Sequence, residues 1–289
     1  VGQLHLSNTM QIASSIAEMR ELRRQLPEPV GFVPTMGFLH EGHLSLVRRA
    51  RAENKSVVAS IFVNPTQFGP NDDFEAYPRD EERDLAQLEA ENTDVILMPQ
   101  PSEMYPVDAS SWVVVEGLTD GLEGAARPGH FRGVTTIVAK LFNIVEPTRS
   151  YFGQKDAQQA LVIQKMAKDL NMNLEVIVCP TVREPDGLAM SSRNVYLNPD
   201  ERRSALVLNE SLKLAQQLFD DGERDAGLIK RKMREMIERE PKSEIDYISI
   251  ADTSTLAELD RIEDGALVSL VVKIGKPRLL DNVILGGPA

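Results

Sequence analysis

A single cysteine, Cys179, among 289 residues excludes an intramolecular disulfide and leaves the fold to be held by its core. At the end of the apolar run Val176-Ile177-Val178, this thiol reads as a small buried side chain, not a nucleophile, and a lone thiol suits a reducing compartment. Positive charge is in deficit, 32 basic against 44 acidic residues for a formal net charge of −12. That balance argues against a general nucleic-acid binder, because phosphate backbones reward clustered Lys and Arg; a polyanionic ligand would have to meet a local positive pocket. No apolar run approaches the roughly 18 residues a membrane helix needs, and the first residues lack the basic, apolar and small-residue order of a signal peptide. No membrane partner and a cytoplasmic location are therefore expected. Neither G-x-G-x-x-G nor the P-loop G-x-x-x-x-G-K-[ST] occurs, which disfavours a dehydrogenase or a P-loop ATPase. There is no long repeat and no low-complexity tract.

Histidine is scarce as well, and two of the four, His40 and His43, share one short stretch, Val33-Pro34-Thr35-Met36-Gly37-Phe38-Leu39-His40-Glu41-Gly42-His43. Val30 to Val33 reads as a short buried strand, and Leu44, Val47 and Ala50 give the apolar face of a helix over residues 43 to 53. Gly37 and Gly42 permit close backbone approach, and the N–H groups of a helix start favour an anion. Two imidazoles three residues apart in a first turn face the same way and could grip one phosphate chain. The plainer alternative for an isolated H-x-G-H is a helix cap beside a solvated side chain.

The surrounding pattern alternates. A first helix is predicted over Ser7 to Arg24, and a strand buried on both faces over Ser56 to Asn64. Asn64 and Gln67 follow its carboxyl end, where open α/β sheets bind ligands, so they are candidates to hydrogen-bond a small polar substrate; Asn64-Pro65 is also an ordinary turn. Residues 70 to 78 form a polar connector to an acidic helix, Arg79 to Glu91, and a strand, Val95 to Met98. On that helix Asp84 and Gln87 fall on one side and could hold Mg²⁺ beside a triphosphate, although such residues are more often a solvated face. Trp112 to Val115 is predicted as a further strand before a long loop, Gly117 to Gly133, in which Arg127 and Arg132 suit a carboxylate or phosphate and His130 reads as structural. A helix over Thr135 to Val145, a strand Ser150 to Phe152, the turn Gly153-Gln154-Lys155-Asp156, a helix begun by Gln158 and Gln159, and a strand Leu174 to Val178 complete the alternation.

This order predicts an α/β fold, a Rossmann-like doubly wound parallel sheet over residues 1–181. The remainder, 182–289, predicts a smaller C-terminal α+β domain with helices Pro199 to Asp221 and Asp225 to Glu240 and strands Ile245 to Ile250, Leu267 to Val272 and Leu279 to Leu285. Length alone also admits one large domain. At the join, Pro185-Asp186-Gly187 marks a turn, and Met190-Ser191-Ser192-Arg193-Asn194 groups two hydroxyls with a guanidinium, a phosphate clamp.

A histidine pair after the first strand with a later Met-Ser loop resembles the HxGH nucleotidyltransferase group. More specifically, Pro34 to Gly37 with His40 to His43, Phe62 to Phe68, Gly153 to Gln159 and Gly187 to Asn194 resemble, in order, the pantothenate synthetase (pantoate–β-alanine ligase) family. The resemblance implies attack of pantoate's carboxylate on the α-phosphate of ATP to give pantoyl adenylate and pyrophosphate, then attack by the amine of β-alanine to release AMP. It also implies a cytoplasmic homodimer using Mg²⁺. By motif, Met36, Gly37, Phe38, Leu39, His40, Glu41, Gly42 and His43 would line the ATP site, with His43 as proton donor. Gly153, Gln154, Lys155, Asp156, Val182, Met190, Ser191, Ser192 and Arg193 would complete it, while Gln67 and Gln159 would hold pantoate. Gln154 and Ala157 depart from the family's Glu and Tyr.

The chemistry agrees with the residues. An ionised carboxylate needs no base to attack phosphorus, so catalysis rests on positioning and charge stabilisation, tasks for His40, His43, Lys155 and Arg193. Two rivals stand beside this reading: another HxGH nucleotidyltransferase acting on a different small acid or phosphate, and a non-catalytic ATP-sensing module.

Overall fold

The computed structural model describes residues 10–69 and 74–286, so the start of the predicted first helix and part of the 70 to 78 connector lie outside the described residues. The elements up to the middle of the chain are β1 (Gln11–Ala13), α1 (Ile16–Gln25), β2 (Val30–Thr35), α2 (Glu41–Glu53), β3 (Ser56–Ile61), α3 (Glu81–Ala90), β4 (Val95–Leu97), α4 (Pro101–Met104), α5 (Leu122–Ala126), α6 (His130–Val145), β5 (Arg149–Gly153), α7 (Ala157–Asp169) and β6 (Glu175–Cys179). The six strands form one sheet in the order β1-β4-β3-β2-β5-β6. β1, β2, β3, β4 and β5 pair parallel. Strand order reverses between β2 and β5, the place where open α/β sheets receive ligands. Residues of β2 and β3 are buried almost throughout, as strands covered on both faces must be, and Val33, Leu44, Val47, Val57, Leu88 and Ile96 pack in one core.

The C-terminal elements are α8 (Pro199–Asp220), α9 (Ala226–Ile237) and the antiparallel strands β7 (Ser243–Ala251), β8 (Ala266–Ile274) and β9 (Arg278–Leu285), with β8 central. Asn198 and Glu201 close a reciprocal cap around Pro199, which fixes the start of α8. Leu208 and Leu212 of α8, Ile229 and Met233 of α9 and Val268 and Leu270 of β8 share a separate core.

The chain divides into two compact units: Val1–Val115, Pro128–Phe152 and Ile163–Cys179 form one, and Glu116–Arg127, Gly153–Val162 and Pro180–Ala289 the other. The units change between Cys179 and Pro180, two residues before the boundary read at 181, and two short segments of the N-terminal half, Glu116–Arg127 and Gly153–Val162 with Lys155, belong to the second unit.

Three local expectations are corrected. The first helix starts at Ile16 under a Ser15 cap, and residues 11–13 pair with β4 instead, because Ile12 fits a helical period and a strand edge equally well. Trp112 to Val115 joins no sheet: Val113 N donates to Thr136 Oγ1 (3.0 Å) and its carbonyl accepts from Thr135 Oγ1 (2.6 Å), so side chains of α6 complete this backbone. The loop expected as far as Gly133 contains α5, and α6 begins at His130, just after Gly129 in the left-handed region at φ 86°.

Candidate active site

In the first unit, the chain leaves β2 through a tight turn. Gly37 has φ +79° and Phe38 φ +50°, and a Cβ on Gly37 would lie 2.9 Å from Asp84 Oδ2. Asp84 is the reason for that closeness. Its Oδ2 accepts from Phe38 N (2.6 Å) and its Oδ1 from Leu39 N (2.7 Å). Burial pushes its carboxyl above the usual range, and the hydrogen bonds from Leu39 and Phe38 pull the other way. Each Asp84 oxygen thus holds the β2 turn. Gln87 Oε1 is buried without a hydrogen-bond partner, and among the described residues no group of three or more His, Cys, Asp or Glu side chains is placed to hold a metal ion.

His40 is the N-cap of α2. Its Nδ1 accepts from Gly42 N (3.2 Å), and His43 Nδ1 accepts from His40 N (3.3 Å), a reciprocal capping box built from two imidazoles whose centroids lie 4.0 Å apart. The cap and the phosphate grip are thus not rival readings. With Nδ1 accepting on both rings, the neutral rings carry their hydrogen on Nε2 and can donate from there.

Beyond β3, Asn64 is the hub of the turn Pro65–Gln67. Its Oδ1 accepts from Tyr105 Oη (2.9 Å) and Thr66 Oγ1 (3.0 Å), and its Nδ2 donates to Gly133 O (3.2 Å) and Gln67 Oε1 (3.0 Å). Asn64, expected to bind substrate, is engaged within the protein at both ends of its amide, and the correction follows: it orients Gln67. Because Gln67 Oε1 accepts, its Nε2 is the donor end, and it lies 3.1 Å from Met36 Sδ. His130 Nδ1 meets Gln67 O at 2.8 Å, consistent with a structural histidine. Gly133 allows α6 to approach: a Cβ there would sit 2.4 Å from Thr66 O. Arg132 lies over the Trp112 ring, 4.6 Å from its centroid.

In the second unit, Gln154–Asp156 form a 3-10 turn directly after Gly153, and Lys155 Nζ is 3.5 Å from Asp156 Oδ1. Asn282 Nδ2 donates to Gln154 O (2.9 Å) and Lys155 O (2.8 Å), and Gln154 Nε2 donates to Asn282 Oδ1 (3.4 Å), which a Glu could not do. Gln158 is turned to α5, donating to Leu118 O and Gly121 O and accepting from Glu123 N. Gln159 beside it is half-buried, and Arg127 ends α5 through its backbone N–H to Glu123 O.

Residues 182–190 form a narrow hairpin, with Met190 N donating to Val182 O (3.0 Å) and Gly187 at φ +97° in its turn. Ser191 then caps a 3-10 helix, Ser192–Tyr196, by accepting from Arg193 N (3.3 Å). Glu184 braces this loop by accepting from Arg202 (2.8 Å) and Asn194 (2.7 Å), and the Arg202 hydrogen bond holds its carboxyl below the usual range.

A family model for pantoate-beta-alanine ligase matches residues 11–284. The chain belongs to the pantoate–β-alanine ligase family. A pantothenate synthetase of Roseiflexus castenholzii is 59% identical over 276 residues, covering 96% of this chain and 99% of the relative. The crystal structure of pantothenate synthetase from Thermus thermophilus matches with a TM-score of 0.91 at 48% identity, covering 95% of this chain and 99% of that one. The pantoate-beta-alanine ligase of Francisella tularensis, complexed with beta-gamma ATP and beta-alanine, matches with a TM-score of 0.79 at 35% identity, covering 96% of this chain and 98% of that one.

The chain is thus an enzyme, and as a pantoate–β-alanine ligase it joins pantoate to β-alanine. What sequence reasoning missed in this ligase is how distant groups support the site: Tyr105 behind Asn64, Asn282 behind Lys155, and Asp84, singled out for a metal, behind the β2 turn. Each is polar and buried, or nearly so, but lies 40 or more residues from what it holds.

Proposed function

We propose that the ligase uses MgATP and proceeds through pantoyl adenylate. Pantoate's carboxylate attacks the α-phosphorus and displaces pyrophosphate; the amine of β-alanine then attacks the acyl carbon, loses a proton and expels AMP. The observation that carries the reading is the paired-imidazole start of α2 at the carboxyl end of β2, the strand beside which the sheet order reverses. The positive end of α2 and the Nε2–H donors of His40 and His43 suit developing negative charge on the departing phosphates.

Within this reading Met36 to His43 meet the nucleotide, and Gln67 Nε2 and Gln159 hydrogen-bond pantoate. In the other unit Lys155 supplies a cation to the phosphates, with Gly153, Gln154 and Asp156 around it, and Val182, Met190, Ser191, Ser192 and Arg193 complete nucleotide binding. Mg²⁺ comes with ATP as part of the substrate, which suits donors that are mostly committed elsewhere; bound there, it neutralises phosphate charge. A cytoplasmic homodimer is the assembly and place we assign.

The deciding experiment measures AMP formation from ATP, Mg²⁺, pantoate and β-alanine, omitting each in turn. Pyrophosphate should form without β-alanine in a single turnover, and AMP should need all four. AMP release that ignored β-alanine would point to another nucleotidyltransferase, and ATP binding without pyrophosphate from pantoate would end the adenylate reading. His43→Ala should lower adenylate formation by about 10² to 10³, the scale for losing one preorganised donor. If only amine attack suffered, His43 would act in the second half instead.

A further inference from the structure

β9 carries two consecutive polar residues, Asp281 and Asn282, that are 1% and 2% exposed in a strand that after Arg278 is otherwise built from Leu279, Leu280, Val283, Ile284 and Leu285. Burying polar groups is unfavourable unless they are fully hydrogen-bonded, and neighbours in a strand point to opposite faces. Each of the two serves a different loop. Both hydrogens of Asn282 Nδ2 go to backbone carbonyls of the Lys155 turn, Gln154 O at 2.9 Å and Lys155 O at 2.8 Å. Asp281 takes the Arg183 fork, Nη1 on Oδ2 at 2.6 Å and Nη2 on Oδ1 at 3.0 Å, and Arg183 Nη1 also donates to Gly187 O at 3.1 Å across the hairpin. Asp281 Oδ1 accepts from Asn282 N (2.8 Å), so the two anchorages share one carboxylate.

We infer that Asp281 and Asn282 are positioning residues that fix the Lys155 turn in register with the hairpin leading into Ser191, Ser192 and Arg193. The central strand β8 pairs with β9 from Ala266↔Leu285 to Lys273↔Arg278, so the peg stands on a rigid ladder. A displacement of about 1 Å in a group that stabilises charge costs on the order of a hundredfold in rate, which is what such a peg prevents. The inference rests on the reading of Lys155 as a phosphate-stabilising cation.

The test is a double-mutant cycle on the full-length enzyme with Lys155→Ala, Asn282→Ala and both, read as single-turnover ATP/pyrophosphate exchange with pantoate, alongside melting temperature. Lys155→Ala should slow exchange by about 10² to 10³, and Asn282→Ala by about tenfold to a hundredfold. Added to Lys155→Ala, Asn282→Ala should change the rate less than about twofold, because the group it places is gone, while its effect on melting should be the same in both backgrounds. Multiplying losses would make Asn282 a merely structural residue and overturn the inference alone; so would an Asn282→Ala rate within about twofold of wild type. A Lys155→Ala rate within about threefold of wild type would remove Lys155 from the mechanism and the inference with it. Asn282→Ser, which keeps one donor, runs the same cycle if the alanine variant does not fold.

Discussion

At the scale of single residues, the site depends on amides and imidazoles whose two ends are told apart by their neighbours. Asn64 could present either end to Gln67, and backbone groups decide: Gly133 O accepts from Nδ2 and Thr66 N donates to Oδ1, which turns Nδ2 toward Gln67 Oε1 and leaves Gln67 Nε2 as donor, with the Tyr105 hydroxyl a further donor to Oδ1. Burial raises the Tyr105 hydroxyl's pKa, so it stays a protonated donor across the working range. Tyr105→Phe removes that donor to Asn64 Oδ1 without removing the ring stacked on Trp112. We expect KM for pantoate to rise about 3- to 10-fold, the worth of one hydrogen bond, with little change in KM for ATP. An unchanged pantoate KM in initial-rate assays would separate Tyr105 from substrate binding. This relay was invisible in the sequence because no local pattern links a tyrosine to an asparagine 41 positions earlier.

At the scale of elements, close approach and bracing do the positioning. Helix α6 can lie against the Pro65–Gln67 turn only because residue 133 has no side chain. Gly133→Ala would drive a methyl into Thr66 O and Gln67 N, so it should destabilise by about 1–3 kcal/mol in urea titration and raise KM for pantoate as Gln67 shifts. Unaltered stability would mean that α6 moves away freely.

The 182–190 hairpin offers a pH test. Glu184 has a folded-state pKa lowered chiefly by its hydrogen bond to Arg202, against the burial that raises it. Its stabilisation is complete above the unfolded value of about 4.3 and is lost as pH falls through the folded value. Glu184→Gln should therefore lower stability by about 1–2 kcal/mol near pH 7 and lose less than wild type between about pH 5 and about pH 3. Denaturant midpoints across that range check it, and parallel pH curves would free Glu184 of the role. The hairpin's turn residues Pro185, Asp186 and Gly187 were legible from their types; the brace from Arg202 was not, since an arginine on a helix reads as solvated.

At the scale of the whole molecule, a proposed homodimer should sediment at twice the 32.1 kDa of the chain; a single species at the monomer mass at micromolar concentration would refute it. No helix among the described residues is long and apolar enough to cross a membrane. The parallel sheet, the α+β C-terminal part, the H-x-G-H turn, the Lys155 turn and the Ser191–Arg193 loop were readable because each depends on periodicity or on residue types fixed within a few positions. Hydrophobic period and local turn chemistry are properties of neighbours in the chain, so the sequence by itself determined most element types and which side chains are candidates for the chemistry. The tertiary structure alone decided that residues 11–13 form a strand, that Trp112 to Val115 does not, that Asp84 clamps a turn, and that Asn282 holds the Lys155 turn. Those outcomes depend on hydrogen bonds between distant segments, which form because a buried polar group left without a partner is costly.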